Sequence, residues 1–187
     1  MKRTVFAAVL AAASFSSLAA VDSYTIEPGH TYPSFEASHM GISFWRGKFN
    51  TSAGKVTLDR TAKTGTVDIN IDAKSVDFGH EKMNEHARGE DFFNVEKFPA
   101  ITYKGKLTFT GDTPTGVDGE LTLLGVTKPV KLTIGSFKCI QHPMLKKEVC
   151  GADASGAFDR VDFGMVYGAK YGPTVAKLAI QVEAVKD

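Results

Sequence analysis

Apolar and polar residues alternate one by one along most of this chain. In TVDINIDA, residues 66–73, the apolar side chains Val67, Ile69 and Ile71 alternate with polar ones, and AITYKGKLTFT at 100–110 repeats the pattern. Successive side chains of a strand point to opposite faces, so a period of two is typical of antiparallel strands with one buried and one solvated face. The chain is therefore predicted to be all-β and mainly antiparallel.

Turn-forming sequences such as TSAG, RTAKTG and GDTPTG separate the alternating segments. About eight strands are expected, because some candidate segments are expected to merge, and strands this numerous at hairpin spacing predict a sandwich or a closed barrel. The candidate segments are 24–27, 32–38, 43–50, 54–59, 65–73, 100–110, 118–124, 130–138, 152–159 and 174–185.

Residues 75–98 break the alternation. Met83 and Ala87 lie four positions apart, on one face of a helix, and Gly89 can end that helix. We therefore predict one short helix near residues 79–89, which lies as a lid across one end of a barrel.

The sequence HEKMNEH at 80–86 raises the question of a zinc site. A metalloprotease helix needs two histidines four positions apart, so that both imidazoles share one face. Here the fourth residue after His80 is Asn84, and the next histidine is His86. A spacing of six places the two imidazoles on largely opposite sides of a helix, so no metal site is predicted.

The first residues have the composition of a secretory signal peptide. Lys2 and Arg3 precede an apolar run at 5–18, which is too short and too rich in small residues for a comfortable membrane span. We expect a signal peptide at residues 1–19 and one exported domain at 20–187, which has no transmembrane segment.

The charge of the exported domain is close to neutral. The full chain has 22 Lys and Arg against 21 Asp and Glu, and removal of Lys2 and Arg3 leaves 20 against 21, a formal charge of −1. A near-neutral chain without a basic cluster in its sequence argues against nucleic acid as a partner and against electrostatic docking to membranes.

Two cysteines, Cys139 and Cys150, flank the segment IQHPMLKKEV. An even, close pair in an exported chain most simply forms a disulfide. Closing a loop of about 12 residues stabilises the fold by roughly 3 kcal/mol in the chain-entropy model. The alternative is a zinc site made by the two sulfurs and His142, and the oxidising compartment favours the disulfide.

Signals for catalysis are weak, and no catalytic residue is assigned. The sequence lacks a Gly-x-Ser-x-Gly elbow, and adjacent acids such as Glu90 and Asp91 are more typical of a solvated helix end than of a glycosidase pair. The enzymatic alternative is a lipid-modifying activity that uses His39, His86 or the Glu90–Asp91 pair. It requires two of these groups within hydrogen-bond reach at a cavity mouth.

Arg88, in HARGEDFF, allows two interpretations. Its guanidinium could hold the polar or anionic head of a ligand. It could also form an ion pair with Asp91, three positions later, which contributes only a few tenths of a kcal/mol.

Aromatic residues are the stronger functional signal. The chain has 13 Phe, many of them where strands meet turns. They could fill a core, but an eight-stranded barrel is just wide enough either to be packed or to hold one ligand, and a surplus of large apolar side chains suits an apolar ligand. The aromatics in question are Phe35, Phe44, Trp45, Phe49, Phe92, Phe93, Phe98, Phe109 and Phe158.

Three blocks of sequence resemble signatures of the YceI-like, polyisoprenoid-binding family. They are HTYPSFEASHMGISFWRGKF, HARGEDFFNVEKFPAITY and GELTLLGVTKPVKL, in this order along the chain, and the resemblance covers essentially all of the exported domain. The matching positions are His30, Phe35, His39, Gly41, Gly47, Phe49, His86, Arg88, Asp91, Phe92, Phe98, Pro99, Gly119, Leu121, Gly125, Pro129 and Val130.

The resemblance implies a lipocalin-like, extended eight-stranded barrel with a helix beside it. It also implies a periplasmic protein that binds a long, possibly quinone-like isoprenoid in the barrel lumen, without catalysis and without a further cofactor. A partner-binding barrel without a ligand is a third alternative, and a homodimer is left open.

The alternation assigns candidate residues to the lumen of such a barrel. A shift of one residue in any strand would invert its assignment. The lumen candidates are Phe35, Phe44, Phe49, Ile69, Phe92, Phe98, Tyr103, Leu107, Leu132, Phe158 and Leu178. The candidates for a polar head contact or for the lid are His39, His86, Arg88 and Asp91.

Overall fold

Eleven antiparallel strands and one short helix form the part of the chain that the structure describes. The structure is a computed structural model that describes residues 21–187, so the predicted signal peptide at 1–19 lies outside the described residues. The helix, α1, comprises Glu81–Arg88. The strands are β1 (Asp22–Ile26), β2 (Tyr32–His39), β3 (Ser43–Phe49), β4 (Ser52–Asp59), β5 (Thr64–Asp72), β6 (Val76–Asp77), β7 (Ala100–Thr110), β8 (Thr113–Leu123), β9 (Val126–Gln141), β10 (Glu148–Asp159) and β11 (Val175–Lys186).

Eight of these strands close into a barrel. The hydrogen-bonded order is β1, β4, β5, β7, β8, β9, β10 and β11, and β11 pairs again with β1. The all-β, eight-stranded barrel is thereby confirmed. Every segment predicted as a strand overlaps one strand of the structure, but the segments do not merge, since β2, β3 and β6 extend the sheet outside this ring.

The long strand β11 has two partners on the same edge. Its last residues, Ala184–Lys186, pair with β1, whereas Ala176–Gln181 pair with β2. The barrel therefore has two different ends. We call "base" the end with the turns at 60–63, 111–112 and 142–147, and "mouth" the end with the turn at 40–42 and the loop at 160–174.

Helix α1 lies at the mouth end and is held by a buried amide. His80 caps the helix, its Nδ1 accepting from the Met83 N–H at 3.3 Å. The Asn84 side chain, 5% exposed, accepts from the Phe78 N–H at 2.7 Å and donates to Asp77 at 3.1 Å. The predicted short helix is confirmed, and Asn84 ties it to the chain that leads into it.

One close approach between strands depends on a residue without a side chain. The Tyr103 ring of β7 crosses β8 at Gly119, where an added Cβ would lie 2.5 Å from the ring. This lets the Tyr103 hydroxyl donate to the Val130 carbonyl of β9 at 2.7 Å. Burial raises the pKa of Tyr103, so the hydroxyl keeps its proton and remains a donor.

Candidate functional site

A cavity of about 530 Å³ runs through the barrel. Its lining includes every inward residue of β11 from Ala176 to Ala184, a length of about 26 Å at 3.3 Å per residue. Those inward residues are Ala176, Leu178, Ile180, Val182 and Ala184. A cavity of this length and lining suits a long apolar chain better than a compact polar molecule.

Nine of the eleven lumen candidates line this cavity. Their side chains come from seven strands and from the loop after α1, which brings residues far apart in sequence onto one continuous apolar surface. They are Phe35, Phe49, Ile69, Phe92, Tyr103, Leu107, Leu132, Phe158 and Leu178. Their contact with a ligand remains a prediction.

The lumen assignment of Phe44 is wrong. Phe44 and Phe49 lie five positions apart on β3, an odd spacing that places them on opposite faces of one strand. Phe49 faces the cavity, whereas Phe44 lies outside it, half-exposed, beneath the Lys177 ammonium at 5.4 Å.

The lumen assignment of Phe98 is also wrong. Phe98 belongs to the loop between α1 and β7, where alternation does not apply. Its half-buried ring packs over the β8–β9 turn, 2.9 Å from the place that a Cβ on Gly125 would occupy. The ring therefore covers the outside of a turn.

A cluster of aromatic rings lines the cavity next to α1. Phe35 contacts Phe49, Phe78 and Phe93 with ring centroids 5.6 to 5.9 Å apart, and Phe49 and Phe93 are 5.3 Å apart. Three of these four pairs are edge-to-face, and such pairs contribute about 0.5–1.5 kcal/mol each beyond the area they bury. These contacts hold the rings in place at the mouth end of the cavity.

Imidazole and aromatic rings surround the opening. His86 of α1 packs on Phe92 at 4.9 Å and on Tyr167 at 5.6 Å, and Phe92 and Tyr167 are 5.4 Å apart. On the other side, His39 packs on Trp45 at 6.1 Å. His39 and His86 both line the cavity, and their contact with the head of a ligand remains a prediction.

The remaining two head candidates do not line the cavity. Arg88 donates to the Lys74 carbonyl at 3.0 Å and forms an ion pair with Glu81 at 3.2 Å, so it fastens α1 to the chain before it. The ion pair considered between Arg88 and Asp91 does not form, and Asp91 is exposed. The structure therefore favours the structural interpretation of Arg88, with a different partner.

Sequence reasoning missed Arg160, which lines the cavity near its mouth. Its guanidinium donates to the Met165 carbonyl, and it forms no salt bridge within residues 21–187. Desolvation lowers the pKa of Arg160, yet an arginine stays charged at neutral pH. The only sequence signal was its place directly after the alternating segment at 152–159.

The groups considered for catalysis are not joined to one another. Within residues 21–187, the side chains of His39, His86, Glu90 and Asp91 form no hydrogen bond among themselves. Glu90 and Asp91 are exposed and lie off the cavity lining. The described part of the chain also holds no cluster of three His, Cys, Asp or Glu side chains of metal-binding size.

The base is closed by buried residues and a polar network. Tyr24 lines the cavity, is 1% exposed, and donates from its hydroxyl to Glu148 at 2.5 Å. Arg60 reaches Glu148 at 3.1 Å, Asp22 at 3.0 Å and the Tyr24 hydroxyl at 3.2 Å. The hydrogen bond from Tyr24 lowers the pKa of Glu148, while burial raises the pKa of Tyr24 to about 12.

The predicted disulfide between Cys139 and Cys150 is confirmed, with an S–S distance of 1.98 Å. It joins directly opposite residues of β9 and β10 at the base, and Cys150 lines the cavity. Arg60 lies 3.3 Å from the Cys139 sulfur, which connects the bridge to the polar network. The disulfide therefore reinforces the closed end.

Among residues 21–187, no helix is long and apolar enough to cross a bilayer.

Comparison with known proteins places the chain among relatives of one kind. A family model described as a YceI-like domain matches residues 24–185. The chain is 32% identical, over 192 aligned residues and the full length of both chains, to a UPF0312 protein of Shewanella denitrificans.

Solved structures agree with this fold. A YceI protein of Campylobacter jejuni has 25% sequence identity and a TM-score of 0.67, with 81% of this chain and 90% of that chain covered. A polyisoprenoid binding domain of Saccharophagus degradans has a TM-score of 0.62 over 88% of this chain and 98% of that chain. At 12% identity, the second likeness concerns the fold alone.

Proposed function

The chain belongs to the YceI-like family, and from this premise we propose that it binds a long isoprenoid chain in its barrel, for sequestration or transport. The single observation that carries the proposal is the cavity of about 530 Å³, closed at the base and lined by apolar strand residues. The Saccharophagus degradans domain, whose fold this chain shares, is described as binding polyisoprenoids, which supports the same class of ligand here.

Apolar burial alone is strong enough for such binding. A ligand of about 40 heavy atoms at ~0.3 kcal/mol per atom reaches ~12 kcal/mol, which corresponds to a nanomolar dissociation constant. Little of this energy requires hydrogen bonds, because removal of a hydrocarbon chain from water supplies it. The lining of strand residues therefore fits a ligand whose main part is hydrocarbon.

The polar end of the ligand is proposed to lie at the mouth. Arg160 is the lining residue with a permanent charge, and His39 and His86 lie near the same opening. A guanidinium donates to carbonyl or anionic oxygens, so a quinone-like head suits this position. Binding without catalysis is proposed, because His39 and His86 pack on aromatic rings rather than on acid–base partners.

The periplasm is the proposed compartment. The signal-like sequence at 1–19 supports export, and the disulfide between Cys139 and Cys150 suits an oxidising environment. A carrier in this compartment would hold an apolar molecule out of water between membranes.

The lumen can be tested with a natural fluorophore. Trp45 is the one tryptophan of the chain and lines the cavity, so an isoprenoid quinone that enters should quench its fluorescence. Ala154→Phe adds bulk inside the lumen, and the adjacent Ser155→Phe adds the same bulk to the exposed face of β10. We expect weakened quenching with the first variant and unchanged quenching with the second. Equal saturable binding by both variants would contradict binding in the lumen.

The role of Arg160 can be separated from its contact with Met165. We expect Arg160→Gln to weaken binding of an isoprenoid quinone about tenfold, the loss of one charged hydrogen bond, and to leave binding of an isoprenoid hydrocarbon unchanged. Lys104→Gln, on the exposed outer wall, is the control. If both ligands lose affinity equally, Arg160 serves only to hold the loop at 160–174.

A further inference from the structure

Exposed apolar side chains concentrate at the mouth. Two stretches, which we call the rim segments, comprise residues 39–46 and 164–177. Of the eleven large hydrophobic side chains that are exposed within residues 21–187, seven belong to the rim segments, which makes the mouth the most apolar part of the described surface. They are Met40, Ile42, Phe44, Val166, Tyr167, Tyr171 and Val175.

The two rim segments form one surface. Gly172 approaches Gly41 so closely that an added Cβ would lie 2.7 Å from the Gly41 nitrogen. Phe44 of β3 lies 5.4 Å from the Lys177 ammonium of β11, across β2, and Ala37 of β2 pairs with Ala176 of β11. Apolar residues that are more than 120 positions apart in sequence are thereby neighbours, and a contiguous exposed apolar patch is typical of an interaction site.

This apolar surface continues into the cavity. Met40, Tyr167 and Tyr171 are each half-exposed and also line the cavity. Exposure of a hydrocarbon chain to water costs about 0.8 kcal/mol of free energy per CH₂ group. A ligand that moves along the apolar path from the rim segments into the cavity avoids this cost only if an apolar phase covers the rim segments.

The charged residues of the rim segments are all basic. They carry Arg46, Lys170 and Lys177 and no acid. Glu36, on the outer wall, pairs with Arg46 and Lys177 at 3.3 Å each, which leaves Lys170 outside any ion pair within residues 21–187. Helix α1 contacts the rim segments, with the His86 and Tyr167 rings 5.6 Å apart. Residues 81–91 carry four acids against two bases, namely Glu81, Glu85, Glu90 and Asp91 against Lys82 and Arg88.

From these observations we propose that the rim segments dock the mouth onto a lipid bilayer that contains anionic lipids. Ile42, 79% exposed, and Val166, 64% exposed, enter the bilayer surface, with the two tyrosines at the level of the head groups. The basic residues of the rim segments face lipid phosphates. The inference rests on the proposed function, since the bilayer is where the cavity would take up its ligand.

Net charge, read from the sequence, pointed away from membrane docking. The net charge does not depend on where the charged residues lie, whereas the fold brings two acid-free stretches together. Docking in this form depends mainly on apolar side chains, and charge orients it. The two rim segments are far apart in the sequence, and no sequence pattern indicates that they are neighbours in the fold.

The test is sedimentation of the protein with phosphatidylcholine vesicles, with and without phosphatidylglycerol. We expect binding that is stronger with phosphatidylglycerol and weakened by salt. Ile42→Ser with Val166→Ser should reduce vesicle affinity about tenfold or more. Both side chains lie off the cavity lining, so quenching of Trp45 by an isoprenoid quinone should stay unchanged.

The matched control lies at the base, on the hairpin between the two cysteines. Met144→Ser with Leu145→Ser removes two exposed apolar side chains, Met144 being 82% exposed, beside Lys146 and Lys147. We expect this variant to keep its vesicle affinity. If it loses affinity and the rim variant does not, the proposed surface is wrong.

Other outcomes separate the two proposals. Quenching by the quinone without binding to any vesicle overturns the docking and leaves the proposed function intact. Vesicle binding that depends on the rim, without quenching by any isoprenoid, supports the docking and contradicts the function. Self-association that the rim variant abolishes, without vesicle binding, means that a second copy of the chain covers the rim, which also overturns the docking.

Discussion

The two ends of the barrel are built in opposite ways. At the base, Tyr24 is buried and bonded to Glu148, Arg60 joins them, and a disulfide fixes β9 to β10. At the mouth, half-exposed rings and aliphatic side chains surround an opening. The comparison indicates that the base stabilises the fold, and we propose that the rim segments at the mouth control access to the cavity.

A clear division makes separable predictions. Changes at the base should alter the free energy of unfolding and leave ligand uptake intact, whereas changes at the rim should do the reverse. Any variant that moves both quantities together breaks the comparison. The predictions below run from the largest expected effect to the smallest.

Loss of the disulfide should have the largest effect on stability. Cys139→Ser with Cys150→Ser frees a loop whose ends are 11 positions apart in sequence, so the free energy of unfolding should fall by about 3 kcal/mol. Urea denaturation measures this change. Chemical reduction of the unaltered protein is the control and should give a similar loss. Intact stability together with lost quenching of Trp45 would assign the bridge to the ligand site instead.

The anchor of α1 lies at the mouth end but outside the rim segments, and we expect it to contribute to stability. Asn84→Ala leaves the Phe78 N–H without its partner and removes the donor to Asp77, so we expect a loss of about 2 kcal/mol in the free energy of unfolding. Glu85→Ala, on the exposed side of the same helix, is the matched control and should change it by less than about 0.5 kcal/mol. Equal effects of the two changes would mean that α1 contributes no specific anchor.

The hydroxyl of Tyr24 offers a finer test of the base. Tyr24→Phe keeps the ring in place and removes one hydrogen bond to a carboxylate, which should lower the free energy of unfolding by about 1–2 kcal/mol. Thermal and urea denaturation measure it. Tyr32→Phe, an exposed hydrogen bond to the Gly29 carbonyl, is the control with a smaller expected effect.

Low pH should destabilise the closed end of the barrel through protonation of Glu148. The pKa of Glu148 in the folded protein is lowered, first by the hydrogen bond from Tyr24 and then by Arg60, from an ordinary value of 4.5. The stabilisation is therefore complete above about pH 4.5 and is lost as the pH falls through the lowered pKa. The midpoint of thermal unfolding, followed from pH 7 to about pH 3, should fall less steeply for Glu148→Gln. A parallel fall in both proteins would remove Glu148 from the account.

The smallest effect on stability is expected at the rim. Ile42→Ser, at a side chain that is 79% exposed, should change the free energy of unfolding by less than about 0.5 kcal/mol. Urea denaturation of this variant and of the unaltered protein measures the difference in the free energy of unfolding. A loss of more than about 1 kcal/mol would show that the rim packs as part of the fold, and the division between the two ends would be wrong.

The walls of the cavity were predictable from the sequence because strand geometry is local. A period of two fixes which residues of β5, β7 and β11 share a face, and Ile69, Tyr103 and Leu178 line the cavity as expected. The same rule exposes the error at Phe44, whose odd spacing from Phe49 already excludes a shared face. Phe98 was beyond the rule, since it lies in a loop.

The mouth was not predictable, because its residues come together through tertiary contacts. Arg160 follows a strand, and only the course of the loop at 160–174 turns its guanidinium toward the cavity. Arg88, next to His86 in sequence, points to the chain before α1. Neighbours in sequence thus separate at the mouth, while residues 40 and 172 meet there.

The most direct test of the central claim is native mass spectrometry of the protein isolated from the cells that make it, followed by extraction into organic solvent. The account predicts a bound mass that is released as an isoprenoid, and its absence from the variant Ala154→Phe. A mass of the protein alone, unchanged after incubation with isoprenoid quinones and isoprenoid hydrocarbons, would contradict the account.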